Sequence, residues 1–377
     1  MVHSLNLGGA EILARNLATD PELAEKYRFV FFCLDVPDVQ RAGTMAPAIQ
    51  EAGFEVECLD RQPGLDWNCI MQIRRLFRQY QVELVHAHQC TPFFYAAAAR
   101  LGGSRPPILL TEHGRFFPDV TSRKRRWANR LLLGKRDCLT AVGQAVADAL
   151  VKKEGFPRDR ILTVYNGVDR TEFAVPAERR LVWRQEVRSQ WGASADDFVV
   201  IQVARLDPIK DHATALKTMA TLRKRIPHAR LVIVGEGPQR TAIERQRAEL
   251  GLDGCVVLTG AREDVNRQLT GADAFLLTSL SEGIPVTFLE AMAASLPIVC
   301  TNAGGCREVV IDEKTGFVAP VGDFEMLADF LAQLANDERL RNRLAADGRQ
   351  RVETVFDQKT MHDTYCGLYE KALEQNN

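Results

Sequence analysis

The chain predicts an α/β protein built from two doubly wound parallel-sheet domains facing across a cleft. Three observations point there. Short β-rich apolar runs alternate with longer amphipathic segments from end to end. The 377 residues exceed what one hydrophobic core organises. Gly- and Pro-rich turns follow directly on apolar runs, where parallel sheets hold ligands.

In the first half, strands are expected at 29–33, 55–59, 84–87, 108–111, 138–142 and 161–165, with helices between them. In the second half the rhythm repeats at 198–203, 230–234, 255–258, 274–277 and 297–300, and residues 323–373 read as helices. Met1 to Leu5 leave little room for a full buried strand ahead of Gly8-Gly9, which puts the first sheet in doubt. Asn166-Gly167-Val168-Asp169 reads as a turn and a charged helix follows, so the junction is expected between 166 and 195. The domain bounds are then 1–170, a linker with a helix at 171–195, and 196–355. The cleft between such domains is the expected ligand site.

Composition narrows the function classes. The net charge of −1 offers no electrostatic case for nucleic acid. Residues 1–165 carry 22 Lys and Arg against 18 Asp and Glu, the remainder 26 against 31, so the first half is the more basic. Nine cysteines show no CxxC and no disulfide-like spacing and read as reduced thiols, which predicts a cytoplasmic location. No apolar run approaches the roughly 18–20 residues that span a bilayer, and the N-terminus lacks a signal-peptide layout.

The most informative motif is Ser281-Glu282-Gly283-Ile284-Pro285-Val286-Thr287-Phe288-Leu289-Glu290. Two carboxylates flank a Gly/Pro loop that opens an apolar helix, with Pro285 shaped for the first turn. The helix start offers N–H groups to an anion, and Glu282 and Glu290 can accept bonds from hydroxyls on either side of a diphosphate. Two solvated glutamates around an ordinary helix start are the alternative. A glycosidase-like pairing of the two carboxylates is disfavoured, because the helix separates them along its axis.

Other motifs fall at strand ends. Arg205 and Lys210 lie in the loop after the 198–203 run, where a forked guanidinium and an ammonium can offset diphosphate charge; surface charge is the bland alternative. No Asp-x-Asp stands at a strand end, and no metal is expected. His113 follows the 108–111 run beside Gly114, and His86 and His88 alternate at another strand end. A metal reading of the histidines lacks a Cys or carboxylate at ligand spacing; buried core histidines are the alternative. Gly8-Gly9 and Gly235-Glu236-Gly237-Pro238 are not GxGxxG, which disfavours dinucleotide binding.

In this order, Gly8-Gly9, His113, Asn166 to Asp169, Arg205 with Lys210, Gly235 to Pro238, and Glu282 to Glu290 followed by Asn302-Ala303-Gly304-Gly305-Cys306-Arg307-Glu308 resemble the retaining family 4 glycosyltransferases of the GT-B fold, over nearly the whole chain. The resemblance implies a nucleotide-sugar donor, UDP-hexose first and GDP-mannose next, and a saccharide or lipid-linked saccharide acceptor. It implies that Glu290 holds the ribose while Glu282 and the backbone of Gly283, Ile284, Pro285 and Val286 contact the donor sugar and phosphates. It assigns Arg205 and Lys210 to the diphosphate, His113 to the transferred sugar, and the loop Gly260 to Val265, with Arg262, to the base. Gly8, Gly9, Gly235 and Gly237 would bring backbone close to the donor. A final helix at 356–377 would cross back to the first domain. Retention by same-face attack follows, with no cofactor beyond the donor. The chain departs from the pattern at its short first strand and at Gly143, where serine is common. A nucleotide-sugar epimerase and a non-catalytic binding subunit are the alternatives. Arg123-Lys124-Arg125-Arg126-Trp127 with Leu131 to Leu133 reads either as a solvated face or as a peripheral contact with an anionic membrane.

Overall fold

The computed structural model describes residues 1–6, 8–36, 44–101, 103, 105–114 and 121–374. They form two units, Met1–Asn166 with Lys359–Asn377, and Gly167–Gln358. Residues 375–377 of the expected final helix lie outside the described residues.

In the first unit, β1 (Val30–Cys33) pairs with β2 (Glu55–Cys58), and β3 (Val85–His88), β4 (Ile108–Glu112), β5 (Cys138–Ala141) and β6 (Ile161–Thr163) form a second sheet in that order, every pair parallel. β4 is buried throughout, as expected of a strand covered on both faces. The short N-terminal segment bridges the two sheets. Val2 N–H donates to the Phe32 carbonyl at 3.0 Å, and His88 N–H donates to the Met1 carbonyl at 2.9 Å. The Met1 amine reaches the His86 carbonyl at 2.6 Å, and burial pushes its pKa down to about 5. A cavity of about 600 Å³ opens beside this bridge, lined by residues 26–32 and 80–86 among others.

The helix Gln358–Glu374 packs its Tyr365 and Tyr369 into this unit. Tyr369 Oη meets His86 Nδ1 at 2.7 Å, and Leu13, Leu17, Leu109 and Met361 share their apolar cluster. Gly143 caps the helix Gln144–Ala149 from an extended conformation without a side-chain bond. The helix Arg123–Leu132 is capped by Ser122, whose Oγ accepts from Arg125 N–H. Four outward cations were expected at 123–126; instead Arg125 turns to the buried Glu154, with Nε 2.8 Å from Oε2. Pairing satisfies a carboxylate that burial would otherwise penalise.

The second unit holds one six-stranded parallel sheet in the order β12-β11-β10-β7-β8-β9. Its strands are β7 (Phe198–Val203), β8 (Ala229–Val234), β9 (Val256–Gly260), β10 (Ala274–Leu277), β11 (Ile298–Thr301) and β12 (Gly316–Ala319). The last has no counterpart in the expected series. Leu216, Met219 and Leu222 of the helix His212–Leu222 and Leu327 and Leu331 of the helix Phe324–Asn336 join Val200, Leu231, Ile233 and Val299 of the sheet in one core. The charged helix Ala177–Gln190 belongs to this unit, held by Arg184 and Arg188, each 2.6 Å from an Asp273 oxygen.

Candidate active site

The chain runs β7, β8, β9 to one side of the second sheet, then returns to place β10, β11 and β12 on the other. β7 and β10 therefore flank the point where strand order reverses, and the crevice beyond their carboxyl ends is where open parallel sheets bind ligands. The loop after β7 carries Arg205 and Lys210, and the loop after β10 carries Glu282.

These two loops are joined. Lys210 Nζ lies 2.5 Å from Glu282 Oε1, and Ser279 Oγ donates to the same oxygen at 2.5 Å. Leu280 N–H donates to the Ile209 carbonyl at 2.8 Å, and Thr278 Oγ1 to the Asp211 carbonyl at 2.8 Å. The result is a preset ammonium–carboxylate pair over the switch point. Arg205 is exposed and pairs with Asp207 of its own loop.

Below Glu282 the chain is packed on glycine. A Cβ at Gly304 would meet the Glu282 carbonyl oxygen at 2.0 Å, and one at Gly305 the Gly283 oxygen at 2.1 Å. Gly304 also has φ +54°, which L side chains rarely adopt. On the neighbouring side, a Cβ at Gly235 would meet the Ala204 oxygen at 2.0 Å and one at Gly237 the Leu206 oxygen at 2.8 Å. Gly235 and Gly237 thus let their loop lie against the Arg205 loop, with Leu206 N–H donating to the Glu236 carbonyl at 2.9 Å.

Pro285 caps the helix Val286–Ala293 rather than entering it, because the residue before the first turn keeps an extended ψ of 112°. Gly283, Ile284 and Pro285 are buried and Val286 is half-buried, so the loop presents backbone more than side chain. Glu290 lies more than one turn in. Burial, with the Glu172 carboxylate as the smaller cause, pushes it up to about 7. The helix N-terminus supplies N–H groups suited to an anion. In the loop after β9, exposed Arg262 forks onto Asp264 at 2.8 and 2.9 Å, and Val265 begins the helix Val265–Thr270. Asn266 Nδ2 donates to the Glu172 carbonyl at 2.9 Å, tying this helix to the turn Arg170–Phe173.

His113, Gly8 and Gly9 belong to the first unit. Gly8 caps the helix Gly9–Thr19, and an added Cβ at Gly9 would meet nothing within 4 Å. His113 Nε2 lies 3.0 Å from His88 Nδ1, and His88 stacks on His86 with ring centroids 4.1 Å apart. Burial drives His113 down to about 3 and His86 and His88 well below the usual histidine range, so all three are neutral near pH 7. Among the described residues, no group of three or more His, Cys, Asp or Glu is placed to hold a metal.

The structure thus gathers Arg205, Lys210, Gly235, Gly237, Arg262, Val265, Gly283 to Val286, Glu282 and Glu290 on the loops and helices of one sheet. Sequence reasoning passed over Ser279 and the mechanical part played by Gly304 and Gly305. The hydroxyl-rich Thr278-Ser279 at a strand end was the signal for the first.

An open parallel sheet whose crevice carries Arg205, Lys210 and an adjacent helix N-terminus suits an anionic ligand. Residues 184–351 match the family described as glycosyl transferases group 1, and residues 7–172 match glycosyltransferase family 4. The chain belongs to these glycosyltransferases, which act on nucleotide sugars in glycan biosynthesis. It is 31% identical over 278 residues to the putative glycosyltransferase EpsF of Bacillus subtilis, covering 72% of this chain and 68% of that one. It is 27% identical to the UDP-Gal:alpha-D-GlcNAc-diphosphoundecaprenol alpha-1,3-galactosyltransferase of Escherichia coli, over 84% of this chain and 83% of the relative. Among solved structures, Anabaena Alr3699/HepE in complex with UDP superposes with a TM-score of 0.82 at 21% identity, over 98% of each chain. That likeness shows the shared fold.

Proposed function

We propose that this protein transfers a hexose from a UDP-sugar, with GDP-mannose the second candidate, to a saccharide or lipid-linked saccharide acceptor with retention of configuration and without a metal ion. The Lys210–Glu282 pair over the switch point carries the reading. A diphosphate entering there draws on Arg205, Lys210 and the amides at the start of the helix Val286–Ala293, its oxygens competing with Asp207 and Glu282 for the two cations. Glu282, fixed by Ser279 and by the glycine-packed backbone beneath it, then accepts from a donor-sugar hydroxyl. Glu290 accepts from the ribose diol.

In the reaction, the bond between the anomeric carbon and the diphosphate oxygen breaks while the acceptor oxygen bonds the same face. The acceptor proton passes toward the departing diphosphate. Growing negative charge on that group is what Arg205 and Lys210 stabilise. His113, neutral because of burial, positions the sugar as a hydrogen-bonding group and does not act as a cationic acid. The Escherichia coli relative carries a UDP-sugar and a lipid diphosphate acceptor in its name, which supports this choice of donor and acceptor. The cysteine spacing, with no CxxC, supports action on the cytoplasmic side.

The test is a thermal-shift panel with UDP, GDP, ADP and their sugar conjugates, run beside Glu290→Ala. Ligand at a hundred times its dissociation constant adds about 2.7 kcal/mol of stability. Selective stabilisation by UDP compounds, lost in Glu290→Ala, is expected; stabilisation by GDP alone would move the donor to GDP-mannose, and no shift with any would overturn the reading.

A further inference from the structure

The helices Trp67–Gln79 and Arg123–Leu132 both pack on the apolar helix Cys90–Ala99 of the first unit. Neither contains an Asp or a Glu. Arg123–Leu132 is built inside out. Its inward face holds Asn129, buried with Nδ2 2.8 Å from Glu154 Oε2, and the Arg125–Glu154 pair. Its outward stripe holds Trp127 and Leu131, each 72% exposed, among exposed Arg123, Lys124 and Arg130.

Two features of that stripe are costly in water alone. Large apolar side chains are displayed where solvent gains nothing from them, and cations crowd the first turn, the end of a helix where negative charge is favoured. No ion pair among the described residues engages Arg123 or Lys124. On Trp67–Gln79, Trp67 at 68% and Met71 at 45% exposure lie in line with exposed Arg75 and Arg78. The same composition thus recurs on two helices joined through a third.

We infer that these two helix faces form a docking surface for an anionic lipid bilayer, with Trp127, Leu131, Trp67 and Met71 entering the interface and the flanking cations on lipid phosphates. Charge complementarity selects this partner. Basic residues beside tryptophan on a helix lying flat are what the headgroup region favours, and a nearby phosphate layer turns the unfavourable first turn of Arg123–Leu132 into a favourable one. The inference rests on the transferase reading only for its purpose, which is to hold the enzyme where a lipid-linked acceptor is found.

The test is co-sedimentation of the full chain with vesicles of phosphatidylglycerol and phosphatidylcholine in equal parts, and with phosphatidylcholine alone. Binding to the anionic vesicles is expected to exceed binding to the neutral ones by about a hundredfold or more, since each of the exposed Arg123, Lys124 and Arg130 adds roughly a further fivefold. Arg123→Glu with Lys124→Glu is expected to remove about twenty-five-fold or more, Trp127→Ser with Leu131→Ser about tenfold, and Trp67→Ser with Met71→Ser a smaller part. Equal binding to both vesicle types, no binding, or α-helix variants that bind like the parent would overturn the inference. All altered side chains are exposed, and an unchanged melting temperature and nucleotide-induced shift in each variant separate lost docking from lost folding. No nucleotide sugar is present in the vesicle assay, so its failure would leave the donor chemistry standing.

Discussion

Glu290 is a carboxylate whose protonation the fold opposes losing. Its folded pKa of about 7 lies above the ordinary 4.5, so the unfolded chain releases this proton first, and the residue subtracts stability as pH rises from about 4.5 to about 7. A ribose diol donates to the ionised carboxylate, so donor binding favours loss of the proton. Affinity for a UDP-sugar, whose diphosphate does not itself titrate in this range, is therefore expected to weaken as pH falls from 7 to 5, by up to about tenfold per unit. Calorimetric titration across that window checks it: Glu290→Gln should bind more weakly at pH 7 and show a flat profile, and a flat profile in the parent would contradict the assignment. Lys210→Met is expected to lower kcat by about 10²–10³, the effect of removing one preset donor from a developing anion. An unchanged kcat would return Lys210 to a structural partner of Glu282.

The strand-end loops around the crevice act as elements that hold one another at backbone distance. Gly304→Ala forces a Cβ against the Glu282 carbonyl and onto a strained backbone, with an expected cost of about 1–3 kcal/mol and a tenfold or greater loss of donor affinity. Gly251→Ala is the matched control: its φ is +67° but nothing lies within 4 Å, so it should cost about 1–2 kcal/mol and leave donor binding alone. Chemical denaturation and nucleotide titration of the pair separate strain from displacement of Glu282. Most of the strands were legible from apolar runs bounded by turns. The strand Gly316–Ala319 was not, because its four residues begin with glycine and follow directly on a charged turn, leaving no period to read.

At the scale of the molecule, the buried bases divide unequally between the units. His86, His88 and His113, together with the Met1 amine, lie in the first, and His212, driven by burial to about 4, lies in the second. Each is held below its ordinary value, so the unfolded chain takes up the proton first. Their contribution to stability is complete above about pH 6.5 for the histidines and about 8 for the amine, and is lost as pH falls toward the folded values, at about 1.4 kcal/mol per unit of depression. Glu290 works in the opposite sense but is a single group. The first unit is thus expected to open at a higher pH than the second, as hydrogen exchange followed by mass spectrometry in steps from pH 7 to 4 would reveal. Simultaneous opening would mean that the histidine cluster relaxes before it titrates. Treatment with EDTA is expected to leave transfer rate unchanged, because Arg205, Lys210 and the helix amides are proposed to carry the diphosphate charge.

The sequence by itself determined the parallel α/β class, the family and which strand-end loops carry the candidate site residues, because hydrophobic period, turn chemistry and motif order are local properties of the chain. Tertiary structure alone decided that Lys210 and Glu282, 72 residues apart, meet at 2.5 Å, that Arg125 turns inward to Glu154 while Trp127 and Leu131 face outward, and that burial pushes His113 down to about 3 and Glu290 up to about 7. Pairing, exposure and protonation depend on how far each group is removed from water and on what is packed against it, and only the folded chain sets those distances.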